Sequence, residues 1–256
     1  MILTMRVRGY PAGVPCWVEL STPDPAGAVD FYRGLLGWTA EDIPVLRHGG
    51  RAVAGVRQGP ADRPAGWVSY VATEDTAATA DSVTSAGGMV LSPVADVEPG
   101  ARTALFADPS GAVFGAWQRD TFGGAQVVNE LGTVCWTDLV TNDLAGAETF
   151  YRDVFGWDRQ VGDYADDYFE FTCAGRPVAG MRAIAAPLPP GTPCHWSVTL
   201  LVEDCETTAA RCAELGGSVV LPPIDAGVGT YAALAGPYGA VFGTITLIPE
   251  LLANFL

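Results

Sequence analysis

The sequence predicts an α+β protein made of two tandem domains, and three observations support this. The stretch 14–38 returns as 133–157, where Cys16, Tyr32 and Trp38 are matched by Cys135, Tyr151 and Trp157, each 119 residues further on. Within each copy an alternating apolar pattern precedes an apolar stripe of helical spacing, and further alternating stretches follow. With 49% hydrophobic and 17% charged residues, the chain has the composition of a folded globular protein.

The first repeated element is a strand followed by a helix. Residues 16–21 alternate as a strand does, with Trp17 and Glu19 on one face. Asp24 suits the N-cap of the following helix, Pro25 its first turn, and Gly37 a left-handed C-cap. This predicts a helix over 25–36 and, by the repeat, a second helix at the equivalent position.

The rest of each half predicts more strands and one more helix. Strands are expected at 43–47, 51–57, 67–73, 89–91, 103–107 and 112–118, with a helix over 75–86 that ends at Gly87. Each half therefore divides into two βαβββ units. We place the domains at 1–120 and 121–256, after a mobile lead-in over 1–13 and with a linker over 119–131.

Charge and hydropathy exclude several classes of partner. The formal net charge is −15 and lysine is absent, whereas nucleic-acid binding needs clustered basic side chains. No apolar stretch reaches the ~18 residues of a membrane span, and no apolar leader follows the first residues. The sequence thus predicts a cytoplasmic protein that binds neither nucleic acid nor membrane.

Three groups of residues carry a resemblance to a known superfamily: the run from Asp24 through Phe31-Tyr32 to Gly37, the Glu74-Asp75…Gly87-Gly88 segment, and Asp108-Pro109-Ser110-Gly111, with their second copies. They resemble the vicinal oxygen chelate superfamily, also called the glyoxalase/bleomycin-resistance/dioxygenase fold. The resemblance covers roughly 14–120 and 132–247. It implies that two βαβββ units pair in each domain into a sheet curled around a cleft.

The resemblance also implies where a divalent metal would be held, and the ligands are missing there. The first-strand ligand falls on Trp17 and Trp136, and the terminal glutamate falls on Gly115 and Gly243. Indole and glycine side chains do not ligate metals, which prefer imidazole and carboxylate groups. We therefore expect no metal and no other cofactor.

Acid or base chemistry would then depend on three side chains. Glu19 and Asp138 are equivalent, each two residues after the strand tryptophan, and a carboxylate in an apolar cleft has a raised pKa. Both can equally be scaffold groups that accept local hydrogen bonds. His195 has no counterpart, since Gly66 takes its place in the first half; it is a general base or a strand-edge hydrogen-bonding residue.

The aromatic residues on the strands suggest the ligand. Flat rings beside a few hydroxyls suit an aromatic or polycyclic small molecule, although the same rings can simply fill a closed cleft. The residues expected to line the clefts are Trp17, Trp67, Tyr70, Phe114, Trp136, Trp196, Ser197, Thr199 and Phe242.

Three functions are compatible with these residues. The first is a metal-independent natural-product tailoring protein, a lyase, isomerase or hydroxylase-like enzyme that uses acid/base chemistry in a Trp-lined cleft. The second is a non-catalytic drug-binding protein, because the negative charge suits a cationic drug. The third, a metal-dependent lyase or dioxygenase with non-standard ligands, has the least support. Because its own halves can pair, the chain is expected to be a monomer or a homodimer.

Overall fold

The computed structural model describes residues 5–7, 9–41, 44–62, 64–162, 168–185, 188 and 191–255. It contains two large mixed sheets and five helices within those ranges. None of the helices there has the length and apolar character needed to span a membrane.

The first sheet has seven strands in the order β3-β4-β2-β5-β8-β7-β6. Its elements are β2 (Pro15–Thr22), α1 (Pro25–Leu36), β3 (Val45–His48), β4 (Arg51–Gln58), β5 (Gly66–Thr73), α2 (Thr76–Ser85), β6 (Met89–Val97), β7 (Ala101–Ala107) and β8 (Val113–Arg119). The predicted strand over 43–47 begins at Val45 in the described chain, and Ile43 lies outside the described residues.

The second sheet has eight strands in the order β11-β12-β13-β10-β14-β17-β16-β15. Its elements are β10 (Val134–Thr141), α3 (Leu144–Phe155), β11 (Asp158–Val161), β12 (Tyr168–Cys173), β13 (Arg176–Ala183), β14 (His195–Leu201), α4 (Cys205–Glu214), β15 (Ser218–Asp225), β16 (Gly229–Ala235) and β17 (Val241–Leu247), followed by α5 (Pro249–Phe255). Apart from the additional edge strand β11, the two sheets have the same pairing pattern, which agrees with the α+β repeat.

The predicted helix boundaries agree with the structure. The Asp24 carboxylate accepts a hydrogen bond from the Gly27 amide at 3.0 Å, and Gly37 ends α1 in the left-handed region with φ 71°. Asp143 and Gly156 do the same for α3, with φ 69° at the glycine. A residue with a Cβ would strain this C-cap, so glycine at these two positions fixes where the chain turns into the next strand.

The described parts of the lead-in and the linker pair with other segments, which the sequence does not suggest. β1 (Met5–Arg6) pairs antiparallel with β9 (Val127–Val128), which lies inside the expected linker. Gly13 accepts a hydrogen bond from the Trp157 indole at 2.7 Å. Because both contacts join residues far apart in sequence, local patterns could not have revealed them.

The hydrophobic cores are shared between the halves. One core combines α1 and its strands with α4 and its strands, so that Phe31 and Tyr32 pack with Phe242. The other combines the α2 unit with the α3 unit, so that Phe114 packs against Phe150. Helices α1 to α4 therefore lie between the sheets. On the opposite faces, the first sheet carries its own aromatic cluster, and Leu252 of α5 packs beside Trp136 and Tyr231 of the second sheet.

Candidate functional site

The concave face of each sheet is defined by alternate residues of its central strands. In the first half Trp17 pairs with Tyr70, and Tyr70 pairs in turn with Gly115. In the second half the same register joins Trp136 to Thr199 and Thr199 to Gly243. The two faces can therefore be compared position by position.

The concave face of the first half is filled by its own aromatic rings. Trp17, Tyr70 and Trp117 are each at most 3% exposed. The Trp17 and Trp117 rings lie 5.8 Å apart, those of Tyr70 and Trp117 5.5 Å apart, and Phe122 lies 5.1 Å from Trp17 in an edge-on arrangement. Because these rings pack against one another, the first cleft is closed as an aromatic core.

Glu19 lies beneath these rings and is neutralised by an arginine. Arg57 donates to Oε2 of Glu19 at 2.6 Å and makes a second, closer contact through Nε to Oε1, and the Tyr70 hydroxyl donates to Oε1 at 3.1 Å. Burial raises the pKa of Glu19, while the charge and hydrogen bonds of Arg57 and Tyr70 oppose that rise. Arg57 and Glu19 therefore have the geometry of a structural ion pair.

Asp138 occupies the equivalent position in the second half but has different partners. The Tyr168 hydroxyl donates to Oδ1 of Asp138 at 2.6 Å and accepts from the Trp136 indole at 2.7 Å. Gly180 lies directly below this contact, and a Cβ there would overlap both oxygens. The glycine thus allows the carboxylate and the phenol to meet over the strand.

The electrostatics of Asp138 favour a proton acceptor. Burial raises the pKa of Asp138, opposed by the Tyr168 hydrogen bond, by the charge of Arg182 and by the Trp136 indole, while Glu170 adds to the rise. Burial and the neighbouring carboxylate raise the pKa of the Tyr168 phenol, so it stays protonated and donates. A carboxylate with a raised pKa is a stronger base than an exposed aspartate.

The remainder of the second concave face combines polar groups with a small apolar cluster of Cys135, Leu201 and Ile245, against which Leu252 of α5 packs. Trp136, Tyr168, Ser197 and Tyr231 are all partly exposed, in contrast to the buried rings of the first half. At the aligned positions Val68 becomes Ser197, Tyr70 becomes Thr199, Thr103 becomes Tyr231 and Trp117 becomes Ile245. The two halves have the same strand arrangement, and among the described residues the second face has the more exposed aromatic and polar groups.

Four of the residues expected to line the clefts face the other way. Trp67 donates to the Tyr32 hydroxyl at 3.1 Å, and Trp196 donates to the Tyr151 hydroxyl at 2.8 Å, in the cores between the sheets. Phe114 and Phe242 belong to the same cores. The expectation that these four residues line the clefts is therefore wrong, and strand periodicity gives the reason. Trp67 and Tyr70 are three residues apart, and residues an odd number apart on a regular strand point to opposite faces.

His195 is separated from the Asp138 network. It begins β14 and pairs with Val140, two positions along the strand from the Asp138–Ser197 pair. Its Nδ1 lies 2.8 Å from the Pro193 carbonyl oxygen. This geometry matches the strand-edge alternative, and no described contact joins His195 to the aspartate.

The positions that the resemblance assigns to a metal do not fit one. A Cβ on Gly115 would overlap the Tyr70 ring, and a Cβ on Gly243 would lie 2.7 Å from Cε2 of Tyr231. A tyrosine ring therefore covers the place of the terminal carboxylate in each half. Within the described residues no group of three His, Cys, Asp or Glu side chains is arranged to hold a metal ion.

Tyr168, Tyr231, Arg182 and Arg57 were missed by the sequence analysis. The alternation in Tyr168-Phe169-Glu170-Phe171 would have placed Tyr168 and Glu170 on one face. It does not reveal that β12 lies beside β13, which is what brings Tyr168 to Asp138. These residues are recognised through sheet pairing rather than through a local motif.

Comparison with known proteins agrees with the fold. Residues 16–116 and 133–243 match the Glyoxalase/Bleomycin resistance protein/Dioxygenase superfamily. The Mn(II)-bound glyoxalase from Novosphingobium aromaticivorans superposes with a TM-score of 0.63 at 20% identity, over 92% of this chain and 82% of that one. The 2,3-dioxygenase LapB from Pseudomonas sp. KL28 superposes with a TM-score of 0.61 at 15% identity, over 93% and 96%.

Relatives more similar in sequence span nearly the whole chain. CFP32 of Mycobacterium bovis is 35% identical, over 94% of this chain and 97% of that protein. The anthracycline biosynthesis protein DauV of Streptomyces sp. (strain C5) is 36% identical, over 93% and 94%. DnrV of Streptomyces peucetius, also named an anthracycline biosynthesis protein, is 34% identical over the same shares. The chain belongs to the glyoxalase/bleomycin resistance protein/dioxygenase superfamily, as a tandem member with two copies of the domain.

Proposed function

We propose that this protein binds a polycyclic aromatic small molecule on the concave face of its second half and transfers a proton on it without a metal. The observation that carries the proposal is the Asp138–Tyr168–Trp136 network, which places a carboxylate of raised pKa on a partly exposed face. Two relatives named anthracycline biosynthesis proteins support a natural-product ligand.

Each group in the network has a defined role in this proposal. Asp138 accepts a proton from an acidic C–H or O–H group of the ligand and later returns it. Tyr168 remains protonated and orients the carboxylate through its 2.6 Å hydrogen bond. Trp136 supplies a flat surface while its indole nitrogen holds the Tyr168 hydroxyl in place. The first half contributes packing, because its cleft is filled and Glu19 is paired.

Matched amide variants test the proposal. The probe is 2-tetralone, an aromatic ring fused to an enolisable ketone, and the measurement is deuterium uptake at its α-carbon from D2O, followed by NMR. We expect the wild-type protein to accelerate exchange and Asp138→Asn to lose the acceleration by about a hundredfold or more. The control Glu19→Gln changes the equivalent carboxyl of the first half and should retain the rate. Equal loss in both variants, or no loss in either, would refute the assignment.

A binding-only function is the second candidate, and the charge of the chain supports it. A net charge of −15 favours association with cationic ligands. Such a protein would quench its tryptophan fluorescence with a planar cationic drug at a fixed stoichiometry, and Asp138→Asn would leave turnover undetectable as in the wild type. Catalysed exchange of the ketone probe by the wild-type protein rules this candidate out as the whole function.

A further inference from the structure

The second concave face contains a buried hydroxyl without a partner. Thr199 is 3% exposed, and its Oγ1 has no hydrogen-bond partner among the described residues. An unpaired buried hydroxyl lowers stability, so proteins usually pair such groups. Its counterpart Tyr70 instead donates to Glu19, so at this strand position the hydroxyl is unpaired in the second half and paired in the first.

This hydroxyl points to the same place as the Tyr231 phenol. A point one bond above Gly243, where its Cβ would be, lies 2.8 Å from Thr199 Oγ1 and 2.8 Å from Tyr231 Oη. Thr199 Oγ1 and Tyr231 Oη are therefore separated by at most twice 2.8 Å. The Tyr231 ring covers this point, so the ring must turn aside before a ligand oxygen reaches it. Both hydroxyls can then donate to one carbonyl oxygen, because that oxygen has two lone pairs.

Charges of both signs act on this pair. Burial raises the pKa of Tyr231, the positive charge of Arg182 lowers it and the negative charge of Asp138 raises it, so the balance of charge favours a negative ligand oxygen once Asp138 has taken up a proton. Ser197, the strand partner of Asp138, is the hydroxyl that interacts with Tyr231. Glu170, the other acidic group that acts on Asp138, accepts a hydrogen bond from Gln160 at 2.8 Å.

We infer that Tyr231 and Thr199 form the subsite for a ketone oxygen of the ligand, taking the place that a Lewis-acidic metal would have in a metal-dependent site. This inference rests on the proposed function and assigns the substrate class as an aromatic system fused to an enolisable ketone. When Asp138 takes the α-proton, the C–H electron pair forms the C=C bond of an enolate and the carbonyl π pair moves onto the ketone oxygen, which accepts hydrogen bonds from Tyr231 and Thr199. Return of the proton from Asp138 to carbon regenerates the ketone and the carboxylate.

The test compares 2-tetralone with tetralin, which has the same rings and no carbonyl, by tryptophan fluorescence titration of the whole protein. Tyr231→Phe and Thr199→Val should each weaken 2-tetralone binding by about three- to tenfold, the effect of one hydrogen bond. Tetralin binding should not change. Weakening of both ligands alike, or of neither, would overturn the subsite.

A matched control separates the subsite from a packing role. Thr137 Oγ1 is the other buried threonine hydroxyl without a described partner, and Thr137 pairs with Val198 on the helix-facing side of the sheet. Thr199→Val and Thr137→Val should both raise the thermal unfolding midpoint, because each removes an unpaired hydroxyl. Only Thr199→Val should weaken ketone binding, and a loss in both variants would contradict the subsite.

The two proposals fail in different ways. If wild-type protein exchanges the α-proton and Tyr231→Phe retains both rate and affinity, the subsite is wrong and proton transfer by Asp138 stands. If Tyr231→Phe loses its preference for the ketone but the wild type catalyses no exchange, the subsite stands and the acid/base function is wrong. Failure of 2-tetralone to bind the wild-type protein would overturn both.

Discussion

Arg57→Met is expected to destabilise the protein strongly by leaving Glu19 buried without its cation. Glu19 is 6% exposed, and Arg57 holds both of its oxygens. Methionine keeps most of the volume of the arginine stem but supplies no charge and no donor. The Tyr70 hydrogen bond to Oε1 remains, so one of the three interactions survives.

The size of the effect follows from the burial of the pair. Removing one partner from a fully buried ion pair costs about 3–5 kcal/mol, since the remaining charge is uncompensated. The Arg57 side chain is 37% exposed, so solvent screening reduces this cost, and we expect about 2 kcal/mol at neutral pH.

The loss of stability in Arg57→Met should be smaller at acidic pH than at neutral pH. Burial already raises the pKa of Glu19, and loss of Arg57 removes the interactions that lower it, so the pKa rises further in the variant. A carboxyl whose folded pKa is raised contributes stability that is present below its unfolded pKa of about 4.3 and is lost as pH rises through the folded value. The deficit of the variant should therefore be largest at neutral pH and shrink as Glu19 becomes protonated.

The measurement is urea denaturation of wild type and variant between pH 4.5 and 8, monitored by tryptophan fluorescence. Arg182→Met is the control: Arg182 is the equivalent arginine, and its charge acts on Asp138, but it forms no ion pair within 4 Å in the described part of the chain. Arg182→Met should lower the free energy of unfolding by less than about 1 kcal/mol. An Arg57→Met deficit that is small at every pH, or that grows on acidification, would refute the electrostatic account of Glu19.

Three further outcomes are expected. Gly115→Ala should destabilise by about 1–3 kcal/mol in urea denaturation, because its Cβ overlaps the buried Tyr70 ring; an unchanged midpoint would contradict the packing. Tyr151→Phe should lower the free energy of unfolding by about 1–3 kcal/mol in the same assay, because it removes the 3.0 Å hydrogen bond to Asp108. An unchanged free energy of unfolding would show that this hydrogen bond does not stabilise the fold. The exchange rate should rise with pH through the raised pKa of Asp138 and then level off, as NMR measurements at several pH values would show; a rate that falls over this range would exclude the carboxylate as base.

Much of the fold could be predicted from local sequence signals. Asp24 and Gly37 determine where α1 begins and ends, and the repeat transfers the same signals to α3. The constant spacing of the repeat also identified Glu19 and Asp138 as equivalent positions. These predictions succeed because caps and strand alternation involve residues that are close in sequence.

The composition of the site could be predicted only in part, because it depends on which strands are neighbours. Tyr168 reaches Asp138 across β13, and Tyr231 reaches Gly243 from an adjacent antiparallel strand. The sequence places Trp67 and Trp196 in the clefts because they are aromatic and lie on the central strands. Their separation from Tyr70 and Thr199 by three residues already indicated the opposite face.

The sharing of each hydrophobic core between the halves has a consequence for how a duplicated gene can diverge. The α1 unit is stabilised by the α4 unit, and the α2 unit by the α3 unit, so neither copy can be discarded after duplication without exposing the core of the other. Selection for stability then retains both copies even when one has lost its binding site. The first copy can therefore fill its concave face with Trp17, Tyr70 and Trp117 and still be required, because its helices complete the cores on which the second copy depends.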